Sequence, residues 1–202
     1  MTTTSAQDEL AYIRKVMADS RAAVADDGKP SILWGILVAL GMLYNYYEVV
    51  TDTTSISGWV WLTLSTLGWI YMIWYVKVKK KGNKVQTYAG RITGAVWGAV
   101  GITIGLFVTT TIISQSMDTP FVLHPVYICA VTAMLLGIGY FVSGILYEIP
   151  WLKYVGIGWW AGSVYFMFFP GREMLLIYAL MMILLQVVPG IMLLRKYKQA
   201  QA

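Results

Sequence analysis

Six long apolar stretches occupy most of this 202-residue chain, and runs of that length leave few folding options. Crossing a hydrocarbon core about 30 Å thick takes roughly 20 apolar residues as helix. The stretches 31–50, 58–78, 92–113, 125–146, 151–169 and 173–194 meet that length. Hydrocarbon offers backbone N–H and C=O groups no partners, so each stretch must satisfy its own as a helix. A β-barrel would alternate apolar and polar residues, whereas these stretches are apolar on all faces. Charged residues make up only 12% of the chain, about half the share in a soluble domain. The expected fold is all-α: an integral membrane bundle of six transmembrane helices preceded by one short cytoplasmic amphipathic helix. Residues 1–29 form the amphipathic part, 30–197 the transmembrane domain and 198–202 a cytoplasmic tail.

The basic residues orient the bundle. Fourteen of the fifteen Lys and Arg fall on one side of the spans, with Arg172 alone on the other. Six of them (Lys77, Lys79, Lys80, Lys81, Lys84 and Arg91) sit in or beside the second connection, which has no acid. The positive-inside rule then puts both termini in the cytoplasm. The same 77–91 segment suits anionic lipid headgroups, at about 1 kcal/mol per basic residue near the surface. Trp and Tyr cluster at the span ends, where an amphipathic ring can be buried while its polar edge stays wet. The first 30 residues lack an apolar core with a small-residue cleavage site, so the first span is expected to act as an uncleaved insertion signal. Nucleic-acid binding is not expected: the net charge of +5 follows from orientation, and no recognition motif is present.

Residues 5–27 are the one sizeable element outside the spans. Ser5 and Asp8 resemble a capping box, and Gly28 with Pro30 stops the helix. Leu10, Ile13, Met17 and Val24 share one face at helical spacing. Three turns are marginal alone in water, so the stripe needs a surface. Over residues 1–29, five acids against four bases argue against headgroup docking, since lipid-surface helices carry a basic face. The chain's own cytoplasmic face is the simplest surface, and a partner protein or second copy is the alternative. The run Ile13-Arg14-Lys15-Val16-Met17-Ala18-Asp19-Ser20 resembles an I-R-x-x-M-x-x-S element preceding the first span in small bacterial multi-span membrane proteins of unassigned activity. The resemblance covers about a tenth of the chain. It implies a bacterial inner-membrane protein and assigns no functional residue.

Gly94, Gly98, Gly101 and Gly105 in the third span have the spacing that lets helix backbones approach closely, and bundle packing is the expected use. Trp34-Gly35 with Gly41, Trp97-Gly98 with Gly105, and Gly156 with Gly162 hint at three helical hairpins of common plan. The single histidine, His124, and single cysteine, Cys129, exclude bis-His haem, a multi-histidine metal site and an intrachain disulfide. No cofactor is expected.

Three groups of residues remain for function. Glu48, with Asn45 and Tyr44 one turn earlier, could bind a cation or polar ligand at the outer mouth, because intramembrane acids are costly; the carboxylate could equally reach headgroup water. Gln186, Pro189 and Gly190 lie inside the sixth span, where proline frees the carbonyl of Leu185 and a kink or hinge is expected. The stripe Leu10, Ile13, Met17 and Val24 is the candidate contact face. Two functions fit: a non-enzymatic regulatory or accessory membrane protein using its N-terminal helix for partner or self contacts, or a small-solute binding or transporter subunit with a site near the outer mouth. No acid, base and nucleophile set suggests an enzyme.

Overall fold

The computed structural model describes residues 28–53, 56–82, 88–116 and 125–199, and these are helical with short connections. The expected helix at 5–27, with Leu10, Ile13, Met17 and Val24, lies outside the described residues, as does His124. Six helical stretches occupy the six apolar runs. They are α1 (Lys29–Thr51), α2 (Ser57–Gly82), α3 (Tyr88–Ser116), α4 (Pro125–Leu146), α5 (Pro150–Phe168), and a continuous stretch of α6 (Glu173–Met182), a π-turn (Ile183–Val187) and α7 (Val188–Gln199). Five are long and apolar enough to cross a membrane: Lys29–Thr51, Ser57–Val78, Gly90–Thr111, Tyr127–Leu146 and Glu173–Gln199. The fifth stretch, α5, is not among them. It spans 19 residues, and Lys153, Tyr154, Trp159, Trp160 and three glycines dilute its apolar character.

The ends of the helices follow from local chemistry. Gly28 starts α1 at φ +66°, with Pro30 in the first turn, where its missing N–H costs nothing. Glu148 takes φ +53° after α4. Its N–H donates to the Ile145 carbonyl at 3.2 Å, and the Ile149 N–H to the Gly144 carbonyl at 3.0 Å. That is the Schellman pattern, which satisfies the last carbonyls of a helix through one left-handed residue. It turns the chain directly into α5.

The core is built by α1, α4, α5 and the α6–α7 stretch. Contact is most extensive between α4 and α5, while α1 runs along α6, the π-turn and α7. Helix α2 packs on α1 and α3 on α4, and both leave most of their apolar surface outward. The antiparallel α4–α5 seam can be read residue by residue. Ser163 Oγ donates to the Ala130 carbonyl at 2.8 Å, and Trp160 Nε1 to the Met134 carbonyl at 3.2 Å. Gly156 lies so close that a Cβ there would sit 2.8 Å from the Gly137 carbonyl oxygen. Trp159, Phe166 and Tyr178 fill the centre, with ring centroids 5.8 Å and 5.6 Å from Tyr178.

Tryptophan seated on glycine recurs between helices. Trp34 of α1 covers Gly68 of α2, and Trp61 of α2 covers Gly41 of α1. Trp97 of α3 covers Gly139 of α4 and donates to Ser143 Oγ at 3.0 Å. Trp34 and Trp97 therefore hold their hairpins alike, each reaching the following helix. In the third hairpin Trp159 also reaches the following helix, but it meets a backbone carbonyl.

The third-span glycines depart from expectation. A Cβ at Gly94, Gly98, Gly101 or Gly105 would meet nothing within 4 Å. Helix α3 turns Thr93, Val100 and Thr111 inward, and the glycines fall beside that face rather than on it.

Candidate functional site

At the α1–α2 turn, the structure brings Tyr44 and Glu48 together and directs Asn45 elsewhere. The Tyr44 hydroxyl lies close to the Glu48 carboxylate. Glu48 Oε1 accepts the Ile56 N–H at 2.8 Å, and the residue is only 8% exposed. Ile56 immediately precedes α2, where N–H groups lack partners within the helix. The acid of α1 thus caps the next helix, the part a capping-box Glu plays within its own. The Asn45 side-chain oxygen accepts the Trp61 Nε1–H of α2 at 3.2 Å. The bonds of Glu48 and Asn45 tie the end of α1 to the start of α2, and together they form a clamp. An open cleft of about 260 Å³ lies against α2 nearby, lined by Trp59, Val60, Thr63 and Leu64; none of the three sequence candidates contributes to it.

The second candidate group sits at the π-turn. Pro189 has no N–H for the Leu185 carbonyl, as its place in the sequence requires. The ladder adjusts by slipping one residue, and the Val188 N–H donates to the Ile183 carbonyl five residues back. The freed Leu185 carbonyl is met by the indole N–H of Trp159, at 3.3 Å. Gln186 plays no part in that repair. It is 5% exposed, lies against Gly35 of α1, and its side-chain oxygen has no hydrogen-bond partner. Gly190, one residue past the proline, meets Ile32 and the backbone of Gly28 at the start of α1.

No spacing signals the Trp159 bond, whose partners are 26 residues apart. A second such link joins Thr132 Oγ1 of α4 and Tyr178 Oη of α6 at 2.7 Å, fully inside the bundle. Among the described residues no group of three or more His, Cys, Asp or Glu is placed to hold a metal ion.

Helices of this length and apolarity, with an interior of aromatic and small side chains, define a multi-pass helical membrane protein. Comparison of the chain with protein-family models, with curated proteins and with solved structures finds no match.

Proposed function

We propose that this chain is a non-enzymatic regulatory or accessory protein of a bacterial inner membrane, whose bundle anchors residues 5–27 for contact with a partner or a second copy. The observation that carries this reading is the use of the outer polar groups. Glu48 and Asn45, two of the three ligand candidates in the sequence, are engaged in bonds that hold α1 and α2 together, and Tyr44 lies beside the Glu48 carboxylate. That favours the accessory reading over a solute site at the outer mouth.

In this reading α5 also crosses the membrane, which makes six spans. At 1.5 Å per residue its 19 residues reach about 28 Å, close to the hydrocarbon thickness. Its neighbours α4 and α6 cover the side that carries Trp159 and Ser163, so these two of its less apolar residues face protein. Six crossings and the Lys and Arg asymmetry put both termini in the cytoplasm. The segment 77–91 rests on anionic headgroups there.

The test is deletion of residues 2–27, followed by native mass spectrometry after mild extraction. The full chain should retain a protein partner or a second copy, and the deletion should lose it while keeping the melting temperature of the bundle. A deletion with the same stoichiometry as the full chain would sink the accessory reading. A co-purifying small solute in both forms, lost in Glu48→Gln, would favour the solute-binding reading instead.

A further inference from the structure

Three independent features meet at the π-turn of the last helical stretch. The ladder there carries one residue more than an α-helical turn, and Pro189 has no N–H with which four-residue spacing could bond the Leu185 carbonyl, so the π-turn forfeits no backbone bond at that position. The Gln186 side-chain oxygen is buried with no partner, a cost to this arrangement, because a buried acceptor loses water and gains nothing. Among the described residues, the π-turn and α7 meet α1 by close fit at glycine. A Cβ on Gly35 would lie 2.6 Å from Val187 Cγ2 and 3.0 Å from Gln186 Cγ, and one on Gly190 would lie 2.9 Å from the Gly28 carbonyl oxygen. Glycine on both helices provides the fit.

We infer that the π-turn is a register joint with two settings of α7. In the second setting the extra residue leaves the turn. Helix α7 rotates about its axis by about 100° and shifts by about 1.5 Å, one residue's worth of helix. Gln186 then leaves Gly35, and Gly190 leaves Gly28. Packed elements change between discrete arrangements of this kind rather than deforming continuously. The device rests on the proposed accessory role in one respect. Gly28 is where the preceding chain joins the bundle, so the register of α7 is coupled to the segment that makes partner contacts.

The experiment uses the full chain in lipid nanodiscs, in a Cys129→Ala background, with spin labels at Tyr154→Cys on α5 and Lys196→Cys on α7. Both positions are exposed. Pulsed electron resonance between the labels should show two distance populations. Gln186→Leu keeps the contact with Gly35 and removes the unpartnered oxygen. It should deplete the minor population roughly fivefold or more, the change that about 1 kcal/mol produces. Gly190→Ala places a Cβ 2.8 Å from Ile32 Cγ1 and should shift the populations the opposite way. A single narrow distance in the unsubstituted chain overturns the inference, as do two populations that Gln186→Leu does not move. No partner is needed, so a failed register joint and a failed accessory role give different results.

Discussion

Removing the Glu48 carboxylate should loosen the α1–α2 hairpin without affecting the rest of the bundle. The bond from the Ile56 N–H is short, at 2.8 Å, and the acid is 8% exposed, so solvent screens it little. A hydrogen bond to a charged group contributes about 1.5–3 kcal/mol, and a carboxylate at a helix N-terminus adds about 0.3–1 kcal/mol. The Ile56 N–H lies at the turn, where water can replace part of the lost interaction. A net cost of about 2 kcal/mol for Glu48→Ala is therefore expected, or a fall of about 4–8 °C in melting temperature for a chain of this size. Glu48→Gln keeps an acceptor for the same N–H and should recover about half of the loss. The assay is thermal unfolding in detergent, followed by intrinsic fluorescence, with hydrogen exchange read at the Ile56 and Trp59 amides. If Glu48→Ala melts like the unsubstituted protein, or if Gln is as damaging as Ala, the carboxylate does not cap α2 and its burial needs another cause.

Five further substitutions test the packing. Trp159→Phe keeps a ring in a fully buried position but strands the Leu185 carbonyl; it should cost about 1–3 kcal/mol and speed amide exchange across residues 183–188, whereas unchanged exchange would mean the carbonyl is satisfied otherwise. A double-mutant cycle of Thr132→Val and Tyr178→Phe should return a coupling of about 0.6 kcal/mol, and not above about 1.7; strictly additive effects would show that the 2.7 Å contact stabilises nothing. Gly156→Ala drives a Cβ into the Gly137 carbonyl and the Phe141 N–H and should destabilise by about 1–3 kcal/mol. Gly98→Ala, with open space around it, should be neutral or stabilising by up to about 1 kcal/mol, and a loss there would reveal a contact with something beyond the described residues.

The helices were legible because lipid imposes one requirement on every residue of a span. The apolar run at 125–146 gave α4 its bounds, whereas α1 starts at Lys29, two residues before the apolar run at 31–50. The other helices extend past their apolar runs at one or both ends, or stop short by a residue, since capping and polar turns set the ends rather than hydropathy. Helix α5 was recognisable as a helix, but its Trp and Gly content is set by the α4 seam. Glycine was read least well. Gly156 and Gly98 both lie in runs of small residues, yet one touches backbone and the other touches nothing described. The difference lies in which face meets a neighbour, and a helix apolar all round carries no moment to reveal that face.

Polar side chains give the same lesson at the candidate sites. Pro189 identified the freed carbonyl of Leu185, because that follows from covalent chemistry within the helix. The group that meets it, the Trp159 indole, is a tertiary fact that no spacing encodes. Gln186 is the nearest polar residue in sequence, yet it lies against Gly35 with its oxygen unpaired. The same contrast separates the two ends of the first helix. At its Glu48 end α1 is fastened to α2 by a short, charge-assisted bond and an indole bond, which fix direction as well as distance. At its Gly28 end α1 meets α7 through glycine backbone and the Ile32 side chain, a contact that depends on shape and that one residue of helix rotation removes. A bundle fastened this way resists motion at the α1–α2 turn and permits it where Gly28 receives the chain that precedes the spans.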